Sequence, residues 1–348
     1  MPNVLETIIS AGFKRQSALQ TGLAAADMFT LTQTSSEIPT PELTYEDNAG
    51  DYGKGTPFAT QIYKLAAKAP MTWAARLSSE NAAWLGAFAI GIPTKAAAST
   101  GFKYTSVVGS TFAALEADMP VTTVATACRP GASDVFDFAL IGMACEELNL
   151  SLKTGIGRDT ATISSTWVGC GKYANPSGLT LPASYTEHSL NIGGATALTL
   201  IGTNYVSTLR FLSCDFQWKN NIREQSNYVP GGGLQDGFNI MGRMRRGTPT
   251  ATFRARVELV DGSPEWAAFL AQTTGTVVIT ILGDLIGGAV YHGLTLTLHQ
   301  CQFTKHMFTS EDGLIAADLE CSVQLHSSNG LLTWEATTTK DDIGTAAT

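Results

Sequence analysis

Charge is scarce in this chain of 348 residues. Asp, Glu, Lys and Arg together make 15% of it, where soluble domains carry about a quarter. So few charges are poorly suited to keeping a large free surface in water. That favours a protein much of whose surface meets other protein. A compact β protein with a Thr/Ser-rich exterior fits the same composition. Basic residues are the scarcer kind, 22 against 30 acidic, for a net charge of −8. Residues 1–176 hold 12 basic and 15 acidic side chains, and residues 177–348 hold 10 and 15. Neither half suits an ordinary nucleic-acid binder, which must neutralise phosphates. An acidic surface that lets DNA pass without sticking is still compatible with these numbers.

Paired cysteines are missing too. Cys128, Cys145, Cys170, Cys214, Cys301 and Cys321 are widely spaced, with no CxxC pair. They read as buried free thiols in a reducing compartment, not as a disulfide framework. The most apolar window, Thr276 to Tyr291, is interrupted by Asp284 and rich in Gly and β-branched residues. It is too short and too broken for a membrane helix, so no membrane insertion is expected. The N-terminus lacks the basic start and apolar run of a secretory signal.

Catalytic and ligand signatures are absent as well. Gly155-Ile156-Gly157 lacks the third glycine of a dinucleotide site and reads as a hairpin turn. The glycine run 231–233 has no following Lys-Ser/Thr, so it is not a P-loop. There is no GxSxG elbow and no HExxH. His292, His299 and His306 repeat every seven residues, which on a strand alternates their faces. They therefore cannot jointly hold a metal without a bend in the strand, and they read as surface or core residues. The expectation is a non-enzyme with no cofactor and no catalytic or metal residue.

What the chain does have is an internal echo. Thr72-Trp73-Ala74-Ala75-Arg76-Leu77 returns 180 positions later as Thr252-Phe253-Arg254-Ala255-Arg256-Val257. Phe58 and Phe238 keep that offset, and Trp84 and Trp266 come within two residues of it. A repeat this long means two copies of one domain, because solenoid units are much shorter. Coincidence between alternating strands is the competing account. The pattern divides the chain into an N-terminal arm over 1–27 with a short helical piece, a first domain over 28–176 and a second over 177–348. Each half reads as strand, long polar loop, further strands, a short helix, then more strands. The loops are Glu37–Thr56 and Lys219–Gly237. The helices follow Ser78-Ser79-Glu80 and Ser263-Pro264-Glu265. Pro93 to Ser133 is an insertion that the second half lacks. The expected fold is mainly β, two similar β-sandwich or barrel domains, each with a short helix and a long loop.

Two charge groupings stand out against the low background. Arg243, Arg245, Arg246, Arg254 and Arg256 are half of the basic residues of the second half, and Glu42, Glu46, Asp47 and Asp51 cluster in the first loop. They suit pairing across a subunit boundary, with Arg as a bidentate partner. Two solvated faces that never meet are the alternative.

The opening Gly12-Phe13-Lys14-Arg15-Gln16 … Thr21-Gly22-Leu23-Ala24-Ala25-Ala26, the long loop after the first strand, and strands followed by a short helix resemble the tail tube proteins of long-tailed bacteriophages. The resemblance is architectural and spans most of the chain; the 93–133 insertion departs from it. It implies a virion protein made in the host cytoplasm, whose sheets join around a ring and whose rings stack into a tube for DNA ejection. With two domains per chain it implies rings of three chains. Glu42, Tyr45, Glu46, Asp47 and Asp51 in the first loop, and Asn221, Arg223 and Tyr228 in the second, become ring-stacking candidates. The implied partners are the chain itself, the tail terminator and tip proteins, and the tape measure protein and DNA in the lumen. A tail terminator or distal tail ring remains open as an alternative. So does a carbohydrate-binding or hydrolytic β-sandwich, which would expose an aromatic groove or a carboxylate pair.

Overall fold

A computed structural model describes residues 8–24, 27–32, 34–36, 40–52, 56–108, 119–128, 136–155, 161–175, 179, 181–182, 186–190, 197–311 and 313–345. Parts of the first loop, of the 93–133 insertion and of the Gly155–Gly157 turn fall outside these residues. The chain is mainly β. In order, the first half contains β1 (Ile8–Arg15), β2 (Phe29–Leu31), β3 (Ser35–Ser36), β4 (Glu42–Asp47), β5 (Ile62–Arg76), β6 (Thr94–Ala98), β7 (Gly101–Val107), β8 (Thr122–Cys128), β9 (Phe136–Lys153) and β10 (Ala161–Ala174). The second contains β11 (Ala197–Leu200), β12 (Thr203–Asn204), β13 (Phe211–Lys219), β14 (Leu234–Gln235), β15 (Phe238–Asn239), β16 (Thr250–Glu258), β17 (Thr274–Gly287), β18 (Val290–Glu311), β19 (Leu314–Gln324) and β20 (Leu332–Thr338). Three helices are described: α1 (Ser79–Ala89), α2 (Glu224–Asn227) and α3 (Pro264–Leu270).

The pairings repeat. In the first half β3, β5, β10 and β9 lie side by side, all antiparallel. In the second half β13, β16, β19 and β18 do the same. The registers match. Ser35 faces Ala74, and Asp215 faces Arg254, each 180 positions on. Ile163 faces Leu150, and Leu319 faces His306, each 156 positions on. The two groups join edge to edge, because the C-terminal half of β9 pairs with β13 from Lys153↔Ser213 to Glu147↔Lys219. Eight strands thus form one layer, an open sheet not closed into a barrel.

A second layer lies over it. The N-terminal half of β18 leaves the first layer and pairs with β17 and β20. Beyond β20 lie β7 and β6, from the insertion of the first half. The other described strand of that insertion, β8, pairs with β9 and β1. The insertion therefore extends the outer sheets. The N-terminal arm differs from the short helical piece expected of it. Residues 8–15 form β1, because β8 offers an unpaired edge and β1 hydrogen-bonds along it from Ile8 to Arg15. One core runs through both halves, from Phe13 to Ile343.

Helix α1 is the centre of that core. Ser78 caps it in a reciprocal box with Asn81, with bonds of 3.1 and 2.8 Å. All eleven of its residues are buried. A helix apolar all round needs cover on every side, and both halves provide it. Trp84 stacks on Phe29 with ring centres 3.6 Å apart, and Phe88 meets Trp167. From the second half, the Trp334 indole donates to the Ala82 carbonyl at 2.9 Å. Trp218 and Asn220 both donate to the last-turn carbonyl of Ala89, at 3.1 and 2.8 Å. Each such buried aromatic contributes roughly 1.5–3 kcal/mol. The Trp334 ring lies against Gly86, where a Cβ would collide with it. Gly86→Ala is expected to lower the unfolding free energy by about 1–3 kcal/mol, although alanine is the better helix former. Urea denaturation checks this, and an unchanged midpoint would refute the close contact.

Candidate assembly surfaces

Three features of the surface are built by the fold: a polar sheet face, a projecting hairpin, and two open strand edges.

The polar face is the side of the eight-stranded layer turned away from the core. Strand alternation puts Phe253, Ala255 and Val257 inside and Arg254 and Arg256 outside. The register sets Arg254 opposite Glu320 and Arg256 opposite Asp318. The Arg254 guanidinium lies 3.3 Å from Glu320, and Arg256 grips Asp318 through two nitrogens at 2.6 and 3.2 Å. Lys219 and Glu147 make a further pair at 3.1 Å across the β9–β13 seam. A groove beside these pairs is lined by Ser151, Lys153, Asp215 and Lys305. The face is a mosaic of both signs, with no run of bare cations among the residues described.

The five arginines expected to act together are thus split. Arg254 and Arg256 pair inside their own chain. Arg243 donates through two nitrogens to the Ser226 carbonyl, at 3.0 and 2.7 Å. Arg246 is drawn inward and donates to the Ile90 carbonyl at 3.3 Å, and burial lowers its pKa. Arg245 lies beside Asn227, whose side-chain oxygen accepts its backbone N–H. Separation into a strand segment and an irregular segment, 240–249, is what divides them.

The first long loop is largely a hairpin. Glu42–Asp47 pair with Lys68–Ile62 as β4 and β5. Asn48 fastens the turn, its carbonyl oxygen accepting from the N–H groups of Thr60 and Gln61 at 2.7 and 3.0 Å. Glu42 pairs with Lys68 at 3.2 Å, and Tyr45 packs edge-on against Phe238. Glu46, Asp47 and Asp51 face solvent. So do large apolar side chains near the tip: Tyr52 is fully exposed, Phe58 is 76% exposed, and Ile62 is exposed as well. Phe58 therefore does not share the buried setting of Phe238, despite their matching offset. The second loop folds back against this hairpin. β15 pairs in parallel with β5 at Asn239↔Ala66, and Tyr228 donates to the Ala67 carbonyl at 2.8 Å. Asn221 and Arg223 sit at its base, Asn221 donating to the Thr248 carbonyl at 2.6 Å. The two sets of loop residues thus occupy one end of the molecule.

The open edges of the eight-stranded layer are β3 and the C-terminal half of β18. β3 has β5 on one side only, and β18 from Phe303 onward has β19 on one side only, among the described residues.

Sequence reasoning missed a polar cluster that only tertiary contacts assemble. Glu80 of α1, His188 of the connection between halves and His292 of β18 bring ligand-capable atoms within 4.8 Å of one another. The Glu80 carboxylate accepts from the His188 N–H at 2.8 Å, from the His188 ring at 3.0 Å and from Thr338 at 2.7 Å. The His292 ring lies 2.9 Å from the Ser79 hydroxyl. The two imidazoles stack in near-parallel planes, 3.6 Å between centres and 13° apart. Lone pairs in parallel planes do not converge on one ion, so this geometry is a hydrogen-bonded staple between helix, connection and outer sheet. Burial works to raise the Glu80 pKa, but the bonds from His188 and Thr338 outweigh it and hold the group below its ordinary value. His299 and His306 lie elsewhere on β18, and His299 bonds Thr333 at 2.7 Å.

The five described cysteine side chains are free and buried. Burial pushes the Cys170 thiol up to about 11 and Cys301 up to about 12, which leaves them protonated and unreactive near neutrality. No helix among the described residues is long and apolar enough to cross a membrane.

Burial also lowers the pKa of His292, His299 and His306, with neighbouring His188 and His326 adding to the effect on the first two. A lowered histidine is neutral in the fold and takes up its proton more readily when unfolded. Its contribution is complete above the unfolded value of about 6.5 and is lost as pH falls toward the folded value. Unfolding free energy is therefore expected to drop as pH falls below about 6.5. Denaturation at stepped pH checks this, and His292→Gln is expected to flatten the slope. No protein-family model matches this chain, and no curated protein is similar to it.

Proposed function

We propose that the protein is a structural subunit that adds to itself head to tail, closing into rings that stack into a tube, as a tail tube protein does. The observation that carries this reading is the β9–β13 junction. One four-strand group already accepts a second of matching order and register along its edge. The composite then ends on the same two kinds of edge, β3 at one side and β18 at the other. A second chain can repeat the join, and a head-to-tail contact that repeats closes into a ring when its rotation permits. Six such groups, or three chains, make the ring that the resemblance implies. Closure also removes unpaired strand edges that otherwise aggregate.

The exposed hairpin tip and the neighbouring second loop would form the contact between rings. The mosaic face would line the lumen. Arg254, Arg256 and Lys219 sit in ion pairs, which leaves a passing phosphate backbone fewer free charges to bind, so that DNA slides. Tape measure protein and DNA would occupy this lumen, with terminator and tip proteins at the two ends. The reading calls for no catalysis and no cofactor, and it places the protein in the virion tail.

Electron microscopy and mass measurement of the purified chain test the proposal. Rings of three 36.8-kDa chains, stacked into tubes, are expected. A protein that stays monomeric at high concentration would refute it. Single rings that never stack would favour the terminator alternative. Replacing both Tyr52 and Phe58 with Asp is expected to leave rings and abolish long tubes.

A further inference from the structure

We propose that the apolar face around α3 is a socket for a second copy of this chain, filled by the β3 edge of that copy. The proposal rests on the ring reading above and specifies its contact.

The internal junction shows what a filled socket looks like. There Leu150 and Leu152 of β9 stand opposite Phe216 and Cys214 of β13, and all four are buried. The register that repeats through the two groups makes His306 and Phe308 of β18 the counterparts of Leu150 and Leu152. His306 is buried, but Phe308 has no such cover among the described residues. Leu152 is 1% exposed, whereas Phe308 is 59% exposed. The helices differ likewise: Trp84 of α1 is 1% exposed and Trp266 of α3 is 38%. Helix α1 is covered by β20, β18 and β7 on its outer side, while α3 leans on β18. Trp266 and Phe308 lie against each other, ring centres 5.7 Å apart. Val260, Leu270 and Ile315 extend the open apolar face around them.

A second observation points the same way. His306 is 9% exposed, and both its ring nitrogens lack a hydrogen-bond partner among the described residues. It is caged by Trp266, Phe269 and Phe308, with ring centres 5.0, 6.0 and 5.2 Å away. Buried polar groups are rarely left so, and this one lies on the open edge of β18. A partner arriving along that edge can supply the missing bond.

The occupant follows from the register. Phe216 faces Phe253 across the second group as Ser36 faces Trp73 across the first. Since Phe216 pairs with Leu150 at the internal junction, Ser36 of a second copy falls opposite His306. Both edges are unpaired among the described residues and run antiparallel to each other in this arrangement, so backbone hydrogen bonds and the apolar socket form together.

The test uses the full chain. Leu270→Glu and Phe308→Glu change exposed side chains, so both variants are expected to melt like the wild type. Sedimentation velocity is expected to show the concentration for half-assembly raised at least about tenfold in each, the cost of a lost interface anchor. The double variant Ser36→Cys with His306→Cys is expected to give inter-chain disulfides on oxidation, and neither single variant is. Charged variants that assemble like the wild type would overturn the socket and leave the ring reading intact. Disrupted assembly without a 36–306 cross-link would overturn the β3 edge as occupant. A wild-type chain that never self-associates would overturn the socket and the ring reading together.

Discussion

Backbone hydrogen bonding along the β9–β13 edge is the constraint on which the rest of the molecule depends. A buried peptide group needs a partner, and a strand edge left open seeks one. Joining β9 to β13 meets that need once inside the chain and sets the two four-strand groups in one continuous layer. It also fixes which way side chains point across both groups, because a slip of one residue would turn every inward side chain outward. The matched registers, Ser35↔Ala74 with Asp215↔Arg254 and Ile163↔Leu150 with Leu319↔His306, go with a single apolar side along β5, β10, β9, β13, β16 and β19.

That single side needs a cover, and α1 with the outer strands provides it. The helix is held as much by the second half as by the first. Trp334, Trp218 and Asn220 bond its carbonyls, and Glu80 in its first turn is stapled to His188 and Thr338. The two halves are thus interdependent. Strand β20 pairs with β7 from the insertion, so a late strand of the second half and the insertion of the first close one outer sheet. The asymmetry between α1 and α3 has the same origin. The edge of β9 is filled by β13, and the matching edge of β18 has no such neighbour among the described residues.

The polar face follows from the same alternation. Low overall charge leaves few cations to place, and cross-strand register sets Arg254 and Arg256 against Glu320 and Asp318. Exposed pairs of this kind add little stability, about 0–1 kcal/mol each. Their effect is on the field of the surface, which they hold near neutral without making it apolar.

Period-2 alternation made most strands legible in the sequence, and Ser78 with Pro264 marked both helix starts. The 180-residue echo picked out Trp73 and Phe253, which lie on β5 and β16. Local pattern could not tell that residues 8–15 would pair as a strand with β8, nor that Phe136–Leu140 and Glu147–Leu152 belong to one long strand. It hid β20 and the role of β6 and β7, whose short runs gain meaning only from the edges they complete. It grouped five arginines by proximity in the chain, when a change from irregular segment to strand sends them to different surroundings. The staple of Glu80, His188 and His292 joins positions more than a hundred residues apart, which no spacing reveals. The sequence by itself determined which residues face inward along each strand, because that depends on a local period. Only the tertiary structure decided which edges meet and which stay open, because strand pairing is a contact between distant segments.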